Sequence, residues 1–193
     1  MVAVSAAEFP AIHQVESSSS QPIVKIQYHY YPVTGATAQN LRSEMTHLSP
    51  VTQGGRHFDA NTDWYVRWSY RYAQTGTSCS MSQVSTQVDV TFTLPKWQPN
   101  ANAPRSLVTQ WSHYSAALQQ HEDGHKNHGI AAGQAVLSTL STMPAYSSCQ
   151  ALEAAANHAA RQVIQQYNQK DLEYDRETGH GSTQGAVFPP SST

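Results

Sequence analysis

The stretch that decides the fold runs from Arg105 to Thr142, RSLVTQWSHYSAALQQHEDGHKNHGIAAGQAVLSTLST. It contains no proline, and its interior breakers are Gly124, Gly129 and Gly133. Leu107, Trp111, Tyr114, Leu118, His121, His125, His128 and Ala132 follow one another at steps of four and three. That spacing is the inward stripe of one long amphipathic helix. Asn102 or Ser106 can cap its start, and Pro144 lies just past its end. Inside it sits His121-Glu122-Asp123-Gly124-His125. Histidines four residues apart share a helix face one turn apart, so both imidazoles can reach one metal ion. The glutamate beside the first is then placed to take a proton from water on that ion. The plainer alternative is a pair of core histidines bonded to neighbours. Two in one stripe, with a glutamate between them, favour metal.

Working outward, 193 residues are enough for one domain with a proper core. The net charge of −2 gives no electrostatic case for nucleic acid or an anionic membrane. Charged residues make up only 12%, about half the usual share, so ten histidines and many Ser, Thr, Gln and Asn supply the polarity. No apolar run approaches the roughly 18 residues that a membrane span requires. Met1 to Pro10 lacks the basic start and apolar run of a signal peptide, which fits a cytosolic chain or a mature form without its leader. Cys79 and Cys149 both sit in polar loop settings. The expectation is a disulfide between them, and hence an oxidising compartment.

Residues 1–21, with Ser17-Ser18-Ser19-Ser20, read as a flexible N-terminal segment. Val24, Ile26, Tyr28 and Tyr30 alternate with polar residues, predicting a strand with one buried face. Leu41, Met45 and Leu48 predict a short helix ending before Pro50. Trp64, Val66, Trp68, Tyr70 and Tyr72 alternate again, as do Val84 through Leu94, and the two strands are close enough to form an antiparallel hairpin. An alanine-rich helix follows from about Cys149 to Tyr174. The expected fold is α+β, a mostly antiparallel sheet with helices on one side, the pentad lying on a long central helix. The domain is expected over residues 22–182, with 183–193 as a C-terminal tail.

A catalytic zinc usually takes three protein ligands and keeps a fourth position open, so one ligand remains to be found. Ala131 stands where a metzincin places its third histidine. His128 is on the stripe, but a straight helix cannot wrap three imidazoles round one ion. Glu153 lies off the apolar stripe of its helix and reads as a solvated acid near a helix start. The segment Tyr174-Asp175-Arg176-Glu177-Thr178-Gly179-His180-Gly181 reads as a turn after the second helix, returning toward the pentad. His180 is the favoured third ligand, with Asp175 next. Asp175 in that role would give an aspzincin-like arrangement.

Tyr31-Pro32-Val33-Thr34-Gly35, the tryptophan-rich strand at Trp64 to Trp68, Leu94-Pro95-Lys96-Trp97, the pentad and the Asp175/Thr178/His180 run carry a further signal. From Tyr28 to Gly181 the chain resembles the bacterial family of predicted secreted zinc-dependent proteases, domain of unknown function 922. The resemblance implies a zincin-like fold, a secreted or periplasmic location, and weight on Asp175, Thr178 and His180 as site residues. The expected activity is that of a zinc metallopeptidase, with Zn²⁺ on His121, His125 and His180 or Asp175. Glu122 would be the general base, and Tyr174 or His128 would stabilise the oxyanion, on a peptide or protein substrate. A non-enzymatic extracellular module with structural or vestigial zinc, and a cell-wall peptide hydrolase, are the alternatives.

Overall fold

The computed structural model describes residues 20–190, so most of the expected N-terminal segment lies outside the described residues. Its elements run β1 (Ile23–Val33), α1 (Ala38–Leu48), β2 (Thr52–Gln53), β3 (Arg56–His57), β4 (Asn61–Thr75), β5 (Ser78–Trp97), α2 (Arg105–Ser141) and α3 (Cys149–Thr178). β4 and β5 form the expected antiparallel hairpin, and β1 lies on the other side of β5 in the order β1-β5-β4. The sheet is mixed, because β1 pairs parallel to β5 along its whole length. Alternation along a strand reports its faces and not its direction, so the parallel pairing was not legible. β2 and β3 form a separate small hairpin around Gly54 and Gly55.

α2 and α3 cover one face of the sheet. Val84, Val88, Val90, Phe92 and Leu94 of β5 are buried beneath them, together with Val66 of β4. Leu107, Tyr114, Leu118, His121, His125 and Ala132 of the expected inward stripe are all buried. Gly129 and Gly133 let α2 approach the sheet, since a Cβ at either position would collide with Trp64 or Val88. The side chain before α2 differs from expectation: Pro104 takes the N-cap position and no side chain caps the helix.

The expectation of a buried face on β1 is corrected. Ile26, Tyr28 and Tyr30 are 45%, 48% and 52% exposed, because β1 is an edge strand and α2 lies over β5 and β4. Burial begins only at Tyr31 and Val33, beside α1.

α3 runs one turn further than expected, to Thr178, capped by the Ser148 side chain at its start and by left-handed Gly179 at its end. Nothing before Gly179 breaks the helix, so Asp175 lies in its last turn and not in a loop. Past it, Ser182–Gln184 form a short 3₁₀ turn, and Phe188 is buried against Trp111 and Tyr114. Residues 183–190, expected as a tail, are thus packed onto the domain. Cys79 and Cys149 form a disulfide that ties the hairpin to the start of α3. Tyr146 reinforces it with a pair of backbone hydrogen bonds to Cys79 at 2.8 Å.

Candidate metal centre

α2 brings His121, Glu122 and His125 to one buried place, where they are 3%, 3% and 8% exposed. α3 packs against this turn of α2 and offers Asp171, Tyr174, Asp175 and Thr178. Tyr174, Asp175 and Thr178 lie three, four and seven residues after Asp171, so one face of α3 carries them all. Tyr174 stacks on the His121 ring with centroids 5.0 Å apart and planes within 12°. Its ring lies where a Cβ on residue 124 would be, so only glycine fits between the two histidines at that point. Gly181 plays the matching part from the other side, where a Cβ would stand 2.9 Å from the His121 ring.

Asp175 Oδ1 stands 3.2 Å from His121 Nε2 and 3.1 Å from His125 Nε2. The other ring nitrogens are already engaged. His121 Nδ1 lies 3.0 Å from Gln184 Oε1, an amide oxygen that only accepts, so this nitrogen carries the proton. His125 Nδ1 donates to Asp171 Oδ1 at 3.0 Å. In the neutral imidazoles both Nε2 lone pairs therefore converge on a carboxylate oxygen. Three acceptors aimed at one another require a cation or an added proton between them. The metal-free chain takes the proton. Burial opposes charge on His125, but hydrogen bonds to Asp171 and Asp175 more than offset it and push the group up to about 10. Asp175 is also buried, yet its histidine partners hold its carboxyl well below the usual carboxylate range.

Glu122 faces the same space. Thr62 Oγ1, from β4, donates to its Oε2 at 2.7 Å. Burial raises its carboxyl above the ordinary glutamate value, against a lowering contribution from Thr62. A cleft of about 760 Å³ opens over these groups, walled by the β2–β3 hairpin, Phe58, Asp59 and His180. Asp59 fixes this wall by pairing with Arg42 and accepting from the Tyr114 hydroxyl at 2.6 Å.

The other candidates fall as follows. His180 lines the cleft, with Nδ1 3.4 Å from Asp175 Oδ1, but stands outside the converging set of His121, His125 and Asp175. Tyr174 lies behind His121, its hydroxyl donating to the His121 carbonyl at 3.3 Å and accepting from Gln184 Nε2 at 3.0 Å. Thr178 supports the rear of the site, its hydroxyl donating to the Tyr174 carbonyl at 2.7 Å. His128 contacts Asp171 Oδ1 at 2.6 Å. Glu153 is exposed near the far end of α3, beside Tyr70.

Asp171, Gln184 and Thr62 were missed by sequence reasoning. Asp171 had a findable signal, since it lies four residues before Asp175 and so beneath it on a helix that continues past Tyr174. His125, His128 and Asp171 form a second His/His/Asp group. There Asp171 Oδ1 is shared by both histidines, and its Oδ2 accepts from the Trp64 indole at 2.5 Å. With both oxygens engaged by donors, this group reads as the support of His125.

The fold and site define an α+β domain with a mixed three-stranded sheet and two buried histidines facing a carboxylate that together could hold a metal ion. The chain belongs to the family described as Bacterial protein of unknown function (DUF922), whose model matches residues 28–181. No match to it was found among curated proteins or among solved structures.

Proposed function

We propose that this protein is a zinc-dependent hydrolase of peptide bonds, with His121, His125 and Asp175 as ligands and Glu122 as general base. The observation that carries the reading is the convergence of two Nε2 atoms on Asp175 Oδ1 at 3.2 and 3.1 Å, beside a buried glutamate. Zinc bonds to nitrogen and oxygen of about 2.0–2.1 Å in a tetrahedron separate neighbouring donors by roughly 3.3 Å, which these distances match. Two imidazoles and a carboxylate are a common catalytic donor set, and the arrangement is aspzincin-like, on a zincin-like helix. The disulfide, and the absence of a helix long and apolar enough to cross a membrane among the described residues, accord with a secreted or periplasmic protein.

When bound, zinc supplies a Lewis acid that acidifies water and polarises a carbonyl. Asp171 and Gln184 hold the proton on Nδ1 of His125 and His121, keeping each Nε2 lone pair directed at the site. Glu122 accepts the proton of the attacking water at Oε1, while Thr62 holds Oε2 and so fixes the orientation of the carboxylate. A base raised above the ordinary glutamate value is a stronger proton acceptor near neutral pH. The cleft of about 760 Å³, with the β2–β3 hairpin as one wall, has room for a segment of an extended peptide.

The test is metal analysis of protein purified without chelators, followed by a broad peptide library. One zinc per chain is expected, with cleavage by the parent. Glu122→Gln should keep zinc and melting temperature while losing activity by about 10²-fold or more. Failure to take up zinc, or a Glu122→Gln variant as fast as the parent, refutes the reading. Zinc without cleavage of any peptide points to a structural site.

A further inference from the structure

We propose that β1 is a self-association edge, pairing antiparallel with β1 of a second copy of this chain about a two-fold axis at Gln27. The inference goes beyond the hydrolase reading and does not depend on it. The first observation is an open sheet edge. Among the described residues β1 pairs with β5 alone, and Ile23 through Tyr30 are all exposed. An edge strand presents a row of unpaired N–H and C=O groups, which monomeric proteins blunt with charges, bulges or proline. β1 does little of this. Its register on β5 is unbroken, Lys25 is its only Lys, Arg, Asp or Glu, and Pro32 stands near its end.

The second observation is the apolar row on that edge. Val24, Ile26, Tyr28 and Tyr30 are in register with the buried row of β5 from Val88 to Leu94, so they extend the core face of the sheet beyond the cover of α2. Tyr28 stacks on the buried Phe92 ring at 4.8 Å, and Tyr30 stacks on Tyr28 at 5.9 Å. The four side chains are 36–52% exposed. They offer on the order of 400 Å² of surface, the size at which a patch on a monomer marks an interaction site.

The third observation is that the row complements itself. An axis at Gln27 sets Val24 opposite Tyr30 of the second copy and Ile26 opposite its Tyr28, so each aliphatic side chain meets an aromatic one. This register alone pairs all four members of the row with one another. On the other face Lys25 falls opposite His29, and no Lys25 meets its own copy. Aromatic and β-branched side chains make favourable cross-strand pairs, whereas like charges directly opposite destabilise. Two such rows together with the paired strand edges approach the roughly 800 Å² per partner of a stable interface.

The test is sedimentation equilibrium of the full chain from about 1 µM to 1 mM. The parent should pass from 21.2 kDa to twice that mass as its concentration rises. Gln27 is exposed, so Gln27→Lys and Gln27→Glu should fold as monomers, melting within about 2 °C of the parent in dilute solution. Each puts like charges on the axis and should weaken its own dimer by at least about 10-fold. Mixing the two variants places opposite charges there and should restore a dimer holding one copy of each. A parent that stays monomeric throughout overturns the proposal and leaves the edge to a partner of another kind. A dimer that neither variant weakens overturns it by placing the contact elsewhere. Two weakened variants whose mixture stays monomeric put Gln27 off the axis and overturn the register.

Discussion

The Tyr174 ring fills the space that a side chain on residue 124 would occupy. This one contact sets the register of α3 on α2, because Tyr174 lies between Asp171 and Asp175 on the same helical face. With Tyr174 seated over Gly124, Asp171 meets His125 from one side and Asp175 meets both Nε2 atoms from the other. Gly124→Ala should therefore destabilise the protein by about 1–3 kcal/mol, as overpacking of a close interface does. It should also weaken zinc binding, because α3 must shift to make room. Calorimetry and a zinc titration of the same variant check both. A variant that loses neither would show that the helices are free to slide.

The two aspartates of α3 have separable roles. Asp175→Ala removes a proposed ligand and should abolish stoichiometric zinc, since two histidines alone hold it weakly. Asp171→Asn keeps the volume and weakens only the partner of His125 Nδ1, so affinity should fall by roughly 10–100-fold. Competition with a chromophoric chelator measures both. If Asp171→Asn proves the more damaging, the ion belongs to the His125/His128/Asp171 group.

The long helix of the pentad was legible because 3.6-residue periodicity is written in its apolar stripe and no proline interrupts it. The hairpin was legible from two alternating runs ending near one turn. What the sequence concealed was long-range: the parallel pairing of β1, the bare inner face of Ile26, Tyr28 and Tyr30, and Gln184 reaching back to His121. None of these leaves a local periodicity. The assignment of Asp175 to a turn has a different cause. The alanine-rich pattern of α3 fades after Tyr167, and the polar residues of its last turn resemble a loop. Only the left-handed glycine at position 179 marks the true end.

Thr62 gives a pH signature. Its hydroxyl bonds the charged form of Glu122 and holds that carboxyl lower than burial alone would. Thr62→Val keeps the shape and removes the donor, so the Glu122 carboxyl should rise further. A base acts only when deprotonated, so the acid limb of kcat/KM against pH should move to higher pH, with the plateau less affected. An acid limb unmoved in Thr62→Val would assign that limb to another group.

The disulfide is the main covalent restraint on the sheet and helices. Its 70-residue separation corresponds to about 4 kcal/mol in the chain-entropy picture. Cys79→Ala/Cys149→Ala should lower the unfolding free energy by an amount of that order, measured by denaturant titration of metal-free protein. Zinc affinity should change little, because the bridge lies at the start of α3 and the site near its end.

Metal-free and zinc-loaded protein should respond to pH in opposite directions. In the metal-free chain His125 is raised to about 10 from an unfolded value near 6.5. Its contribution to stability is therefore fully present below about pH 6.5 and is lost as the pH rises through about 10. Asp171 and Asp175 are lowered, so their contributions are present above about pH 4 and are lost as the pH falls through their depressed values. The melting temperature in chelator should thus peak between about pH 4 and 6.5 and decline on the alkaline side. Zinc binds only neutral imidazole, so loading must displace the His125 proton, and the stabilisation by zinc should grow as the pH rises. Thermal melts with chelator and with zinc, from pH 5 to 9, compare the two. Parallel curves with a constant offset would mean that zinc displaces no proton from His125, and would place the ion elsewhere in the molecule.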